Sequence, residues 1–423
     1  MNELYDNSPQ VERALLVGLE SDRIEAREAA SLLRELSGLA SSLGVEPVTT
    51  MMVKLREKTA NLLLGSGKAD EITAAAKAEG VDSIIFDHPL SPIQQRNWEK
   101  LTGLKVYDRA ELIIKIFSAR ALTREAGLQV ELARLEYALP RLAHSYEELS
   151  RQRGGRYGTK GSGEQKIELD RRSIERRIHE LKEELKVVRK SRDVQRKRRQ
   201  RLPLPRAAIV GYTNAGKSSL LNAMTKAEVL AEDKLFATLD PTTRRLCLGS
   251  GASLLLTDTV GFVRNLPHGL VEAFKATLEE ASSADLLIHV VDGADPERER
   301  QMATTRQVLS EIGAGSLPHI LVLNKTDLVD SETLMDWRRT HPEALSVSAK
   351  TGAGLEDLAA RIEDELSSDM QELKLLIPHA HYALIPLIHR EGLVLEEKGG
   401  EENTLVRCKM PSRLIARFAE FVV

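Results

Sequence analysis

The stretch AAIVGYTNAGKSSLLNAM, residues 207–224, restricts the fold more than any other part of the chain. An apolar run of strand length feeds a turn framed by Gly211 and Gly216, and Lys217 and Ser218 then open an amphipathic run with helical spacing. Each part of this G-x-x-x-x-G-K-S pattern has a physical purpose. The backbone N–H groups of Tyr212, Thr213, Asn214 and Ala215 can wrap a phosphate chain only if no Cβ blocks the approach at the glycine positions. The helix N-terminus adds a positive field beneath the anion. Lys217 can supply a full charge to β- and γ-phosphates, and Ser218 a hydroxyl ligand for Mg²⁺.

The segments downstream decide which nucleotide fits. ASLLLTDTVGF puts Asp258 at the end of an apolar strand, where a carboxylate can hold Mg²⁺ through water. Thr259 and Val260 follow, and Gly261 can offer its N–H to a γ-phosphate. HILVLNKTDL gives a buried strand ending in Asn324, Lys325, Thr326 and Asp327. A carboxylate at Asp327 can accept hydrogen bonds from N1–H and the 2-amino group of guanine, a donor pair that adenine lacks. ALSVSAKTG ends another strand and presents the backbone of Ser348, Ala349 and Lys350 to the guanine O6 edge. Their order, and their places at strand C-terminal ends, agree with one nucleotide crevice.

This ordered set resembles the translation-factor-related class of P-loop GTPases. The resemblance implies GTP and GDP as ligands, and a switch I threonine that closes over Mg²⁺ and the γ-phosphate. Within LFATLDPTTRR the candidates are Thr238, Thr242 and Thr243. FATLDP is similar to the switch I of Obg-like GTPases, which favours Thr238 as the Mg²⁺ ligand and places Phe236, Ala237, Leu239 and Asp240 around the nucleotide. Lys217, Thr238 and Gly261 are then the expected catalytic set. Ras-like enzymes carry a glutamine after the DxxG motif, whereas this chain has Phe262, which can neither donate nor accept a hydrogen bond. Slow intrinsic hydrolysis follows, to be completed by a partner or a bound ion. Several similar GTPases that lack the glutamine hold a monovalent cation through the residue at the Asn214 position, so K⁺ is a candidate here.

Composition bounds the rest. At 423 residues the chain has room for two to four domains. Apolar residues at 42% and charged residues at 29% exclude wholesale disorder. Two cysteines, Cys247 and Cys408, cannot form a disulfide framework and suggest a reducing compartment. The N-terminal residues lack the layout of a signal peptide, and no apolar run is long enough to span a bilayer, so the expectation is a cytoplasmic protein without membrane insertion.

The net charge of -3 conceals an uneven distribution. Residues 121–206 carry 23 Lys and Arg against 13 Asp and Glu, a local excess of +10, and the remainder carries -13. One surface is therefore suited to a polyanion. Aromatics are scarce at 4%, which favours phosphate contacts over base stacking.

Residues 1–120 read as alternating strands and helices: a strand at 14–19, a helix at 23–43, strands at 47–55 and 81–87, and a helix at 68–79 ended by Gly80. LLLGSGKAD, at 62–70, imitates half a phosphate loop, but Leu62 and Ala69 stand where glycine and Ser/Thr belong, so a helix-initiating turn is expected. From Leu128 the apolar spacing becomes heptad-like: Leu128, Leu132, Leu135, Leu139, Leu142, Tyr146 and Leu149, then Ile167, Ile174, Ile178, Leu181, Leu185 and Val188. Two such stripes joined by a glycine-rich connector predict a long antiparallel helical hairpin, with Pro140 expected to kink or break its first arm. The connector holds Arg151, Arg153, Gly154, Gly155, Arg156 and Lys160, which can fit narrow RNA clefts. The second arm ends in the basic run RKSRDVQRKRRQR, and LPLPR marks a boundary. Past Met370 the pattern is strand, helix, hairpin, helix.

FDHPLSPIQQRNWEKLTGLKVYDRAELIIKIFSARALTREAGLQVELARLEYALPRL, then LSRQRGGRYGTKGSGE and DRRSIERRI, all ahead of GYTNAGKS, resemble the HflX family of ribosome-associated GTPases over about residues 10–370. The connector departs slightly from its relatives, many of which are more glycine-dense. The implied architecture is α/β. A small α/β N-terminal domain (1–120) and the basic hairpin (121–202) precede the P-loop GTPase domain (203–368), and a small α+β domain (369–423) follows. The resemblance also implies binding to the 50S subunit and the 70S ribosome, with the hairpin loop directed at the peptidyl-transferase region, and splitting of stalled or idle ribosomes in the GTP state. The free protein is expected to be monomeric. Two other readings stand beside it: a large-subunit assembly GTPase, and an rRNA-binding module that holds nucleotide for stability.

Overall fold

The computed structural model describes residues 11–21, 24–152, 162–199, 204–226, 235–249, 253–265, 280–368, 370–400 and 402–423. The chain divides into two compact units. The first takes in residues 1–190 together with 232–240 and 264–276, and the second comprises 191–231, 241–263 and 277–423.

The first unit is built on four parallel strands, β1 (Arg13–Glu20), β2 (Glu46–Lys54), β3 (Ser83–Phe86) and β4 (Lys105–Asp108), in the order β2-β1-β3-β4. Both faces of β1 are covered, which explains why its sequence is a continuous apolar run and not an alternating one. On one face Leu15 and Val17 pack with Ile72 of α2 (Ser66–Glu79) and Trp98 of α3 (Pro92–Thr102). Against the strands also lie α1 (Ala26–Ser42) and α4 (Arg109–Arg120), which pack on each other. Gly65 and Gly67 do open α2, and Gly80 ends it in the left-handed conformation.

The C-terminal ends of β3 and β4 carry Asp87, Asp108 and Arg109, all buried. The Arg109 guanidinium donates to Asp87 at 2.7 Å and to Glu35 of α1 at 2.6 Å. Glu35 also receives Arg264 at 3.1 Å. Burial raises the Asp87 carboxyl above its ordinary value even though Arg109 opposes the shift. Glu35→Gln removes the charge shared by the buried Arg109, which keeps Asp87, and the part-buried Arg264, and is expected to cost about 3 kcal/mol. Chemical denaturation followed through Trp98 in a Trp337→Phe background measures it, and an unchanged midpoint would contradict the account.

The hairpin arms are α5 (Arg124–Gln152) and α6 (Ser162–Arg199). Leu128 and Leu132 pack with Leu181 and Leu185, flanked by Leu135, Ile178 and Val188, so these positions of the two stripes face each other in antiparallel register. Arg177–Glu131 and Lys182–Glu136 pairs border the seam. Of the kink or break expected at Pro140, the break does not occur, because α5 continues through it. A proline removes one ladder donor. Here the Arg141 side chain donates to the Tyr137 carbonyl at 3.0 Å and to Gln95 at 2.9 Å, holding the helix against α3 where its own ladder is weakened.

In the second unit six strands form a sheet ordered β10-β9-β8-β5-β7-β6. They are β5 (Arg206–Gly211), β6 (Thr242–Cys247), β7 (Ser253–Asp258), β8 (Leu286–Asp292), β9 (His319–Asn324) and β10 (Leu345–Ser346). Only β6 runs antiparallel, against β7. Among the described residues α7 (Lys217–Thr225), α8 (Arg298–Glu311), α9 (Ser331–Thr340) and α10 (Leu355–Ser368) belong to this part. Ile209, Ile288 and Val322 from three central strands meet Leu220, Leu358 and Ile362 in one core. Met370–Pro378 (β11), Leu393–Gly399 (β12) and Asn403–Pro411 (β13) make a separate antiparallel sheet around Leu375, Ile377, Val406 and Cys408, with Ile385, Ile388 and Phe418 packed on it. Among the described residues no helix is long and apolar enough to cross a membrane.

Candidate nucleotide site

The turn between β5 and α7 lies at the C-terminal end of a central strand, and the segments that end or follow β7, β9 and β10 close around it. Gly216 has a φ of +88°, and a Cβ there would stand 2.2 Å from Nδ2 of Asn324, so only glycine fits. That closeness has a purpose. Asn324 donates from Nδ2 to the Ala215 carbonyl at 2.9 Å, while its Oδ1 accepts from the Ala349 N–H at 3.0 Å. One buried amide thus ties the phosphate-loop backbone to the Ser348–Lys350 turn. Asn214 sits at φ +61°, a left-handed conformation that asparagine tolerates better than most residues.

On the other side the end of β7 is joined to the loop. The Phe262 N–H donates to the Gly211 carbonyl at 3.1 Å, and the Thr213 N–H to the Phe262 carbonyl at 2.8 Å. The Phe262 side chain is buried. A Cβ on Gly261 would meet both Lys217 Nζ and Thr213 Cα at 2.7 Å, so this position too excludes a side chain. Thr259, also buried, donates to the Ile209 carbonyl at 2.7 Å and pins the turn beneath Val260. The Ser218 hydroxyl donates to Asp258 Oδ2 at 2.6 Å, which brings a hydroxyl and a carboxylate oxygen to one point. An all-oxygen donor pair of this kind suits a hard cation such as Mg²⁺.

Lys217 is buried and donates from Nζ to the Tyr212 carbonyl at 2.8 Å. Burial pushes its ammonium down from 10.5 to about 8, with Asp258 opposing the shift and Lys325 adding to it. A phosphate chain needs the charged form. Below pH 8 the ammonium is already protonated, and above it binding must take up a proton. Affinity for a nucleoside diphosphate should therefore fall between about pH 8 and 9, by at most about tenfold per unit. Lys217→Arg, whose charge does not titrate there, should remove that slope. Calorimetry at pH 8.5 in buffers of different ionisation enthalpy reads the proton directly; no uptake would refute the assignment.

The turn that follows β9 is braced as well. Thr326–Leu328 form a 3₁₀ turn entered through Lys325 at φ +61°. The Thr326 hydroxyl donates to the Val347 carbonyl at 2.9 Å. Asp327 Oδ1 accepts from the Ser348 hydroxyl at 2.6 Å, which orients the carboxylate. The Lys325 ammonium reaches back to Asp292 at the end of β8, at 2.7 Å. Sequence reasoning did not select Asp292, although it ends an apolar strand as Asp258 does.

Thr242 of β6 stands opposite Asp258 in the β6–β7 pairing. Thr243 is in β6 with its hydroxyl 2.9 Å from that of Thr257, and Thr242 precedes it in the same strand. Phe236, Ala237, Thr238, Leu239 and Asp240 belong to a segment of the first unit, where the Asp240 carboxylate accepts from residues at the start of α5. Arg153, Gly154, Gly155, Arg156 and Lys160 fall outside the described residues. Arg151 is in the last turn of α5, and its side chain is outside them as well.

Comparison with known proteins covers nearly the whole chain. Residues 30–118 match the family described as GTP-binding GTPase N-terminal, and 120–199 the GTP-binding GTPase middle region. Residues 206–325 match the 50S ribosome-binding GTPase family, and 333–416 the HflX C-terminal domain. GTPase HflX of Akkermansia muciniphila is 46% identical over 100% of this chain and 99% of its own length. GTPase HflX of Escherichia coli K12 is 41% identical over 96% of both. Among solved structures, a GTP-binding protein from Sulfolobus solfataricus in complex with GDP is 26% identical, with a TM-score of 0.45 over 84% of this chain and 98% of its own. With all four regions matched in family order and relatives similar over the whole chain, the chain belongs to the HflX family of ribosome-associated, GTP-hydrolysing P-loop proteins.

Proposed function

We propose that this chain binds the 50S subunit and, in its GTP state, separates stalled or idle 70S ribosomes, with hydrolysis stimulated by the ribosome and followed by release. The observation that carries this reading is the union, in one chain, of a phosphate loop braced by Asn324 to the Asp327–Ser348 turns with a hairpin region of net charge +10. The basic arm neutralises rRNA phosphates, so association should weaken steeply with salt. Phosphate-loop N–H groups and the Lys217 ammonium hold the triphosphate, and Asp327, oriented by Ser348, selects guanine. Ser218 and Thr238, with Asp258 acting through water, hold Mg²⁺, which neutralises charge on the β- and γ-phosphates. The buried Phe262 cannot orient an attacking water, which supports a rate that waits for the ribosome or for K⁺ held at Asn214.

Sucrose gradients of 70S particles with GTP, GDP and a non-hydrolysable analogue test the proposal. Subunits released only with triphosphate support it. Co-sedimentation with immature large subunits alone favours an assembly role, and nucleotide-independent association favours an rRNA-binding module. Replacing Arg153 and Arg156 together should lower ribosome-stimulated hydrolysis by about tenfold or more, on the scale of two lost charge-assisted contacts, and leave GDP affinity unchanged. Unchanged stimulation would remove the connector from the interface.

A further inference from the structure

The six residues 235–240 are fastened to the first unit on both sides of Thr238. On the N-terminal side the Leu235 N–H donates to the Ser42 hydroxyl of α1 at 3.0 Å. Phe236, buried and held at φ +56°, sets its ring edge-on to Phe117 of α4 with centroids 4.6 Å apart. A bulky residue in that conformation persists only where its surroundings impose it. On the C-terminal side Asp240 makes three bonds to the entry of α5. Its Oδ2 accepts from the N–H groups of Leu122 and Thr123, each at 3.1 Å, and its Oδ1 from the Thr123 hydroxyl at 2.5 Å. That hydroxyl in turn accepts from the Ala126 N–H at 3.1 Å and so caps the helix.

Thr238 is two residues from each anchor. At about 3.3–3.6 Å per residue, its reach from either is about 7 Å at full extension. A loop limited in this way has already lost most of the freedom it would otherwise give up when the threonine is fixed. We propose that Asp240 is a positioning residue for GTP hydrolysis. By bonding to Leu122 and to Thr123, whose hydroxyl caps α5, it holds the C-terminal side of the loop, and it joins the placement of Thr238 to the start of the hairpin in one equilibrium. This rests on the reading of Thr238 as the residue that meets Mg²⁺ and the γ-phosphate. GDP makes no demand on that contact, so Asp240 should matter for the triphosphate state alone.

The test uses the full chain with GDP and with a non-hydrolysable GTP analogue. Asp240→Ala should weaken analogue affinity and slow single-turnover hydrolysis, each by about tenfold, while GDP affinity stays within twofold. Asp240→Asn, which keeps one acceptor oxygen, should recover part of both. Amide exchange at Leu122 and Thr123, the two N–H donors to the carboxylate, should be slower with the analogue than with GDP in the parent chain, and equal in the two states in Asp240→Ala. Exchange that rises by one factor in both states, with the nucleotide difference retained, would mean a helix cap and nothing more, and would overturn the proposal. So would exchange that is equal, or faster with the analogue, in the parent chain. Thr238→Ala separates the two readings. If it binds the analogue like the parent, the assignment of Thr238 fails; if it loses affinity while Asp240→Ala does not, the positioning role fails.

Discussion

Asp327→Asn is expected to lower affinity for guanine nucleotides by about 10²–10⁴-fold and to raise affinity for xanthine nucleotides. The carboxylate can accept from N1–H and the 2-amino group, and hydrogen bonds to a charged group contribute about 1.5–3 kcal/mol each. An amide accepts from N1–H but sets its own NH₂ against the 2-amino group. Xanthine carries a carbonyl at that position and restores the pair. The Ser348 hydroxyl on Asp327 Oδ1 holds the orientation that both outcomes need. Competition between labelled GDP and XDP measures the exchange of specificity. Equal loss for both bases would show that the carboxylate does not face the base.

Lys217→Met should separate function from stability. Removing a preorganised charge from the phosphates should lower kcat by roughly 10²–10³-fold, as the loss of one transition-state donor does elsewhere. The nucleotide-free fold should gain stability in the same variant. A lysine whose folded value lies near 8, below its unfolded 10.5, makes the folded state more stable as pH rises between the two values. Below pH 8 the full cost of keeping it charged applies, about 3 kcal/mol. Methionine of similar length removes that cost. A lower denaturation midpoint for Lys217→Met at pH 7 would mean that the bond from Nζ to the Tyr212 carbonyl outweighs desolvation.

Much of this site is legible in the chain because its chemistry is local. The phosphate loop needs glycine where a Cβ would strike Asn324, and no tertiary information is required to see Gly216 followed by Lys217 and Ser218. Asp258, Asp327 and Ser348 are visible for a related reason: each follows an apolar run, and strand ends in a parallel sheet converge on one edge. The heptad stripes, too, announce the facing of α5 and α6. The chain does not break at Pro140: propensity weighs the missing donor and not Arg141, whose bonds to Tyr137 and Gln95 depend on α3 being near.

The order and spacing of residues along the chain were sufficient to indicate the strand–turn–helix around Gly211–Ser218 and the facing pair of long helices, since each depends on residue type at short separation. Tertiary structure alone decided that Asn324 braces two loops, that Glu35 gathers Arg109 and Arg264, and that Asp240 turns to the start of α5. Those pairings join residues up to 229 positions apart, and no periodicity or spacing encodes them. Buried charge must find a partner wherever packing has placed one, and that place exists only after the chain has folded.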